Sequence, residues 1–281
     1  MSIKKTVIVT LTTDFGLQDP YVGQLKGALL LGYHNILPID LSHAIAPWDL
    51  EAAAHCLYDS YRYFPKGSIH LVVVDPGVGS ARKLIAAAGN GYYFVAPDNG
   101  VLSLLLASRQ LDKACCISPD KIALSAISST FHGRDILAPA AARLAQGAKL
   151  EELGPSLSLQ ELVRLPTHFI EPIDQLVTRL KGHVVLIDHF GNVRTNFHLA
   201  RSGIDPARLL AIHVGGLDVN LYFPSYSAAA PGELFFLIDS AGYVEIAMNK
   251  GNAAQRIGCA KGDALTLMLS STQTPIRPGM G

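Results

Sequence analysis

The sequence predicts two domains. The first is an α/β domain with layered helices and a largely parallel central sheet, and the second is a smaller C-terminal β-barrel. Three observations carry this prediction. Through roughly the first 160 residues, short apolar runs alternate with stretches of helical spacing. That order builds a parallel sheet covered by helices. Beyond Pro155 the helical spacing stops, and short strand-like runs punctuated by Gly191, Gly215-Gly216, Gly232, Gly242 and Gly251 take over. With 281 residues and 49% hydrophobic side chains, the chain has enough apolar matter for two cores.

Taken in order, residues 6–11 are a β-branched strand bounded by Asp14 and Gly16. Residues 21–31 space Val22, Leu25 and Leu29 as a helix, with Pro20 suited to its first turn. A short strand spans 36–41. A helix over 50–63 has Asp49 as its cap or first-turn acid, and Pro65-Lys66-Gly67 stops it. Residues 69–74 form a buried strand, followed by strands at 84–88 and 92–95 and helices at 102–107 and 136–146. Residues 156–176 carry Pro166 and Pro172 with little periodicity and read as a linker, which places the domains at 1–165 and 178–281. Strands then follow at 184–187, 193–197, 209–214, 234–238, 243–247 and 265–269.

The 23 basic and 23 acidic side chains balance, which argues against a nucleic-acid partner. The four cysteines have neither C-x-x-C nor zinc-ligand spacing, as expected in a reducing cytoplasm. The first apolar run is too short for a signal sequence or a membrane span. A cytoplasmic protein without membrane attachment is therefore expected.

Ligands of open α/β sheets bind beyond the carboxyl ends of strands. Asp14, Asp40 with His43, Asp75, and Asp98 with Asn99 all follow strand ends. Gly77-Val78-Gly79 is not a dinucleotide fingerprint, because Arg82 stands where the third glycine belongs and Pro76 precedes the loop. The glycines instead fix a turn or let backbone approach a ligand. Arg82, seven residues after Asp75, is placed to fold back and pair with it. His132 sits just before a helix, where dipole and burial favour neutral imidazole. That suits a general base, a water-orienting group or a structural histidine. Asp188-His189-Phe190-Gly191-Asn192 is a hairpin turn or a ligand contact. Asp239-Ser240-Ala241-Gly242-Tyr243 is a turn, with Glu245 beyond it. Trp48, the only tryptophan, packs on the core or stacks on a flat ligand ring.

A set of segments gives these residues a family context. They are Thr13-Asp14-Phe15-Gly16, Asp40-Leu41-Ser42-His43, Pro47-Trp48-Asp49, Val74-Asp75-Pro76-Gly77-Val78-Gly79, Ala96-Pro97-Asp98-Asn99-Gly100, Thr130-Phe131-His132-Gly133-Arg134-Asp135, Ile187-Asp188-His189-Phe190-Gly191-Asn192 and Gly251-Asn252-Ala253-Ala254. In that order they resemble the S-adenosyl-L-methionine hydroxide adenosyltransferases, once classed as a domain of unknown function and related to bacterial fluorinases and chlorinases. The resemblance implies hydrolysis of S-adenosyl-L-methionine to adenosine and L-methionine, with no cofactor and no metal. It implies a homotrimer whose sites lie between the N-terminal domain of one subunit and the C-terminal domain of its neighbour. It assigns Asp75, Arg82 and His132 to catalysis, Asp14 to the ribose hydroxyls and Trp48 to the pocket wall. Asp19 would face the methionine amine and Asp188 the other polar groups of methionine. Phe190, Asn192, Tyr226, Ser240, Glu245 and Met248 would surround the adenine and methionine ends. The halogenating relatives carry Tyr at the positions of Asp75 and His132, so this chain follows the hydrolase pattern. It departs from the fluorinase at Met248, where Arg is usual. A halide-using relative and a binding module with negligible turnover are the alternatives. A carboxylate at position 75 opposes the first of these, since it repels an anion.

Overall fold

The computed structural model describes residues 6–124, 126–166, 170–172 and 178–271. The chain divides into two units, Met1–Leu165 and Pro166–Gly281. The first unit contains strands β1 (Val7–Thr13), β2 (Ile36–Ser42), β3 (Ile69–Val73), β4 (Leu84–Gly89), β5 (Tyr92–Pro97), β6 (Lys113–Cys116) and β7 (Ser156–Leu157). Its helices are α1 (Tyr21–Gly32), α2 (Leu50–Ser60), α3 (Ser103–Ala107), α4 (Pro119–Ile122), α5 (Ala138–Ala145) and α6 (Leu150–Leu153).

β3 shows why the unit has three layers. Ile69, Leu71 and Val73 point to one face, where Val9, Leu11, Leu25, Leu29 and the α5 alanines close around them. Val72 and Val74 lie in a second cluster with Ala53 and Leu57 of α2 and Leu104 and Leu105 of α3. A strand apolar on both faces must be covered on both faces. The helix signals act as expected. Val22, Leu25 and Leu29 are the buried stripe of α1, and the Asp49 side chain caps α2 by accepting from Ala52 N–H at 2.9 Å.

The sheet order is β2-β1-β3-β5-β4-β6-β7. It is parallel from β2 to β5 and antiparallel from β5 to β7. The direction reverses at Asn90-Gly91, whose φ values of 50° and 81° make a two-residue hairpin turn. The stretch expected to be a linker is in part something else. Leu162 is buried in the core, Val163 N–H donates to Asp98 Oδ1 at 2.9 Å, and Leu165 N–H donates to Ser103 Oγ at 2.7 Å. These residues form an irregular strap on the first unit, and a strap of this kind has no sequence period to detect. The rest of the expected linker falls largely on 167–169 and 173–177, outside the described residues.

The second unit holds β8 (Glu171–Pro172), β9 (Arg179–Ile187), β10 (Val193–His198), β11 (Leu209–Val214), β12 (Leu217–Val219), β13 (Leu234–Ile238), β14 (Tyr243–Met248) and β15 (Ala264–Leu269). Two short helices join them, α7 (Leu199–Ser202) and α8 (Ala253–Ile257). The strand order is β12-β11-β15-β9-β10-β14-β13, with β8 beside β9. After β12, Leu221 and Phe223 bond to Phe236 of β13 (2.9 and 3.2 Å), which nearly closes the sheet into a barrel. Val184, Val193, Phe197, Ile212, Phe236, Ile246 and Leu267 belong to its core. The sequence reading missed β12, whose three residues are too few to show a period; the Gly215-Gly216 turn, with φ of 57° and 76°, is its signal. Among the described residues no helix is long and apolar enough to cross a membrane.

One buried group makes stability depend on pH. His70 is fully buried on β3, with Nδ1 2.7 Å from Thr10 Oγ1 and the rings of Tyr61, Phe64, Tyr92 and Phe94 around it. Burial lowers its pKa from 6.5 to about 4. The unfolded chain therefore takes up this proton at higher pH than the folded one. Stability is fully present above pH 6.5 and falls as the pH drops towards 4, by about 3 kcal/mol in total. Denaturant unfolding across this window should show a flatter acid limb for His70→Gln than for wild type. Equal slopes would show that another group controls it.

Candidate active site

Asp75 leaves the end of β3, two residues past Val73. The following loop folds back on itself, and its glycines explain how. A Cβ on Gly79 (φ 82°) would stand 2.7 Å from the Ser129 carbonyl oxygen, and one on Gly77 would stand 3.1 Å from Arg82 Cδ. The folded loop delivers Arg82 to Asp75. Nε donates to Oδ1 at 2.6 Å and Nη2 donates to Oδ2, a two-pronged pair. The two side chains are only 9% and 7% exposed.

The guanidinium also reaches His132. Nη1 and Nη2 each lie 3.2 Å from Nδ1. His132 opens a π-helical turn, Gly133–Leu137, that runs into α5. Gly133 is required there, since a Cβ would lie 2.7 Å from Val73 Cγ1. The loop before it is tethered by Asp135, which accepts from Ser128 N–H at 2.8 Å and from Arg134 at 2.6 and 3.0 Å. Burial and the Arg82 cation lower the His132 pKa, outweighing Asp75 and Asp135. An arginine only donates, so Nδ1 accepts and the neutral ring carries its hydrogen on Nε2. The second nitrogen is thus a donor.

At the end of β1, Asp14 Oδ2 accepts from Trp48 N–H at 3.0 Å. Trp48 has a φ of 66° and is 70% exposed. Of its two sequence readings, packing on the core is thereby set aside. Asp19 is exposed on the loop leading into α1. The remaining rim acids have structural partners. Asp40 pairs with Lys26 at 2.7 Å and lies 3.0 Å from His43 Nε2, while Asp98 holds the strap.

In the second unit Asp188 is both turn and scaffold. Its Oδ1 accepts from Phe190 N–H and Asn192 N–H, each at 2.9 Å, and Oδ2 accepts from Asn192 Nδ2 at 2.9 Å. This fixes Asn192, which is buried, and Phe190, which is 73% exposed. Asp188, Phe190, Asn192, Tyr226 and Met248 line one cleft of about 590 Å³ together with Asn249, Lys250 and Gly251. Sequence reasoning missed these last three as site residues, although Met248 precedes them and Gly251 itself opens the Gly251-Asn252-Ala253-Ala254 segment. Tyr226 donates to Glu245 Oε1 at 2.8 Å. Glu245 is 5% exposed and does not line the cleft, so it meets that space through Tyr226. Burial raises its pKa to about 7, helped by Asp239 and Asp188 against the Tyr226 hydrogen bond. Burial and Glu245 push the Tyr226 hydroxyl up in turn. Ser240 is exposed at its turn and is not among the cleft's lining residues. Among the described residues no group of three or more His, Cys, Asp or Glu could hold a metal ion.

The sequence matches the model of the S-adenosyl-L-methionine hydroxide adenosyltransferase N-terminal domain over residues 9–154. It matches the C-terminal domain of the same family over 182–266. It is 39% identical to an (R)-S-adenosyl-L-methionine hydrolase of Salinispora tropica, covering 92% of this chain and 96% of the relative. It is 36% identical to a protein of the same name from Thermus thermophilus, covering 91% and 97%. A fluorinase from an Actinoplanes species is 30% identical, covering 92% and 97%. A crystal structure of an uncharacterized conserved protein from Thermotoga maritima superposes with a TM-score of 0.82 at 34% identity, covering 93% of this chain and all of that one. The chain belongs to the S-adenosyl-L-methionine hydroxide adenosyltransferase family.

Proposed function

We propose that this chain hydrolyses S-adenosyl-L-methionine to adenosine and L-methionine by displacement at the ribose C5′. It takes the R sulfonium epimer that the hydrolase relatives' names specify. The observation that carries the reading is the Arg82 guanidinium, which grips the Asp75 carboxylate with one edge and contacts the His132 imidazole as well.

The chemistry needs little from the protein beyond placement. The substrate carbon bears a sulfonium that leaves as a neutral thioether, so no acid and no Lewis acid is required to expel it. Attack by water moves the positive charge from sulfur to oxygen. The resulting protonated alcohol is a strong acid and sheds its proton without a strong base. The Asp75–Arg82–His132 cluster fits this task. The Nε2–H of His132 donates to the incoming oxygen, and Asp75 accepts from the water's hydrogen, which aims a lone pair at C5′. Arg82 holds both. A halide is disfavoured here, because the Asp75 carboxylate repels an anion and most of the guanidinium donors are already turned to Asp75 and His132. In the same reading Asp14 holds the ribose hydroxyls, Trp48 lines the pocket and Asp19 faces the methionine amine. Asp188, Phe190, Asn192, Tyr226, Ser240 and Met248 surround the rest, with Glu245 behind Tyr226. Supporting this, residues assigned to one ligand occur on both units, each carrying a largely exposed aromatic, Trp48 or Phe190. A homotrimer with the substrate shared between neighbouring subunits completes the proposal.

The balance is one substrate cation plus water giving adenosine, zwitterionic methionine and one proton. Purified protein given the R and S epimers separately should release adenosine, methionine and protons in equal amounts, faster from R. No 5′-chloroadenosine should form in chloride buffer. Binding without product over long incubation would make the chain a binding module instead.

A further inference from the structure

A second polar chain, outside the Asp75 cluster, runs from the surface into the base of the Asp14 loop. Lys26 Nζ lies 2.7 Å from Asp40 Oδ2, and Asp40 Oδ1 lies 3.0 Å from His43 Nε2. His43 Nδ1 lies 2.8 Å from Thr13 Oγ1, and Phe15 N–H donates to that hydroxyl oxygen at 3.3 Å. The Asp40–His43 step is a close ion-pair contact rather than an aligned hydrogen bond. With the neutral ring's hydrogen on Nε2, facing the carboxylate, Nδ1 accepts and the Thr13 hydroxyl donates to it.

Acid, imidazole and hydroxyl in this order are also the parts of a nucleophilic triad. Burial excludes that use. Thr13 is 0% and His43 5% exposed, and the hydroxyl receives the Phe15 N–H, so no substrate carbon reaches it. What the chain does reach is backbone. Thr13 takes the Phe15 N–H, and the His43 carbonyl takes the Gly16 N–H at 2.8 Å. Both peptide hydrogens that follow Asp14 are thereby pinned by one histidine and its hydroxyl partner. Two consequences follow from the fixed loop. Asp14 is presented to Trp48 N–H. The Phe15 ring packs edge-on against Phe131, centroids 5.5 Å apart, directly before His132.

We propose that Thr13, His43 and Asp40 are positioning residues for the reaction: a relay, exposed at Asp40 and buried at His43 and Thr13, that sets the Asp14 carboxylate and, through Phe15 and Phe131, the His132 loop. The inference rests on Asp14 binding the ribose. Misplacing a reacting group by about 1 Å costs on the order of 10²-fold in rate, so a relay that fixes two such groups has leverage without touching substrate.

Two substitutions at one position separate positioning from packing. Thr13→Val keeps the buried shape and deletes the hydroxyl, whereas Thr13→Ser keeps the hydroxyl and deletes a methyl. Positioning predicts that Thr13→Val lowers kcat/KM for (R)-S-adenosyl-L-methionine by about 10²-fold and weakens adenosine binding by calorimetry. Thr13→Ser should stay within a few-fold of wild type even where its melting temperature is the lower of the two. Kinetics that follow melting temperature instead, with Val near wild type and Ser impaired, would overturn the relay. Adenosine affinity is read without turnover, so an inactive wild type would sink the hydrolysis reading while the affinities still decide the relay. Asp40→Ala, at the exposed end, guards against misfolding of the Thr13 variants. It should weaken adenosine binding several-fold, and unchanged affinity there would count against the proposal.

Discussion

Asp75→Asn is expected to cut turnover by about 10²–10⁴-fold, the range for a group that handles a proton in the transition state, while substrate affinity stays close to wild type. The amide keeps the shape and loses the charge that faces the water. His132→Ala should fall in the same range, because it removes the Nε2–H donor. The pair should lose less than the product of the single losses, since in the proposed mechanism both act on one water molecule. Arg82 carries more than the sequence suggested. A partner of Asp75 alone would tolerate lysine, but the guanidinium meets both Asp75 and His132. One ammonium cannot reproduce that fork. Arg82→Lys should therefore lose about as much as Asp75→Asn. Steady-state kinetics beside melting curves decide the matter. Folded variants with near-normal turnover would move the chemistry elsewhere on the rim.

A mixture of two dead proteins should be alive. Asp14→Ala removes the proposed ribose anchor of the first unit, and Asn192→Ala removes a buried side chain of the second-unit cleft. Each should reduce activity to near background. After subunit exchange in an equal mixture, a site built from one unit of each neighbour is intact only when each contributor is the right variant. Random assembly then restores about one quarter of the wild-type rate. If every site lay within one chain, each would carry a lesion and the mixture would stay inactive. Mass spectrometry of the mixed oligomers confirms exchange before the rate is read.

Much of this fold and site is legible in the sequence. Five of the six expected barrel strands fall within one residue of their bounds, because period-two runs between glycines leave few alternatives, whereas β9 begins five residues before the expected 184. The Asp75–Arg82 pair followed from a seven-residue loop rich in glycine. Other features were legible but unread: Asn90-Gly91 states the hairpin that turns half of the sheet antiparallel. Some had no local signal. That Gly79 makes room for the Ser129 carbonyl and Gly133 for Val73 is a matter of two distant segments meeting. The strap over Asp98 and Ser103 is held by side chain to backbone bonds, which leave no period. Asp188 was read as turn or ligand contact; the geometry shows the turn, since its oxygens build the bend that presents Phe190 and Asn192 to the cleft that Asp188 itself lines. The relative names added what no residue pattern in the chain displayed, the handedness of the sulfonium.

Oxygen-18 water tests the central claim most directly. Purified protein is incubated with (R)-S-adenosyl-L-methionine in labelled water, and the products are weighed by mass spectrometry. Attack by water at C5′ predicts one heavy oxygen in adenosine, on the 5′ position, and none in methionine beyond slow carboxylate exchange. Unlabelled adenosine, a 5′-halogenated nucleoside, or methylthioadenosine with labelled homoserine would each contradict it, since each places the bond-breaking step somewhere other than between C5′ and sulfur, or gives it another nucleophile.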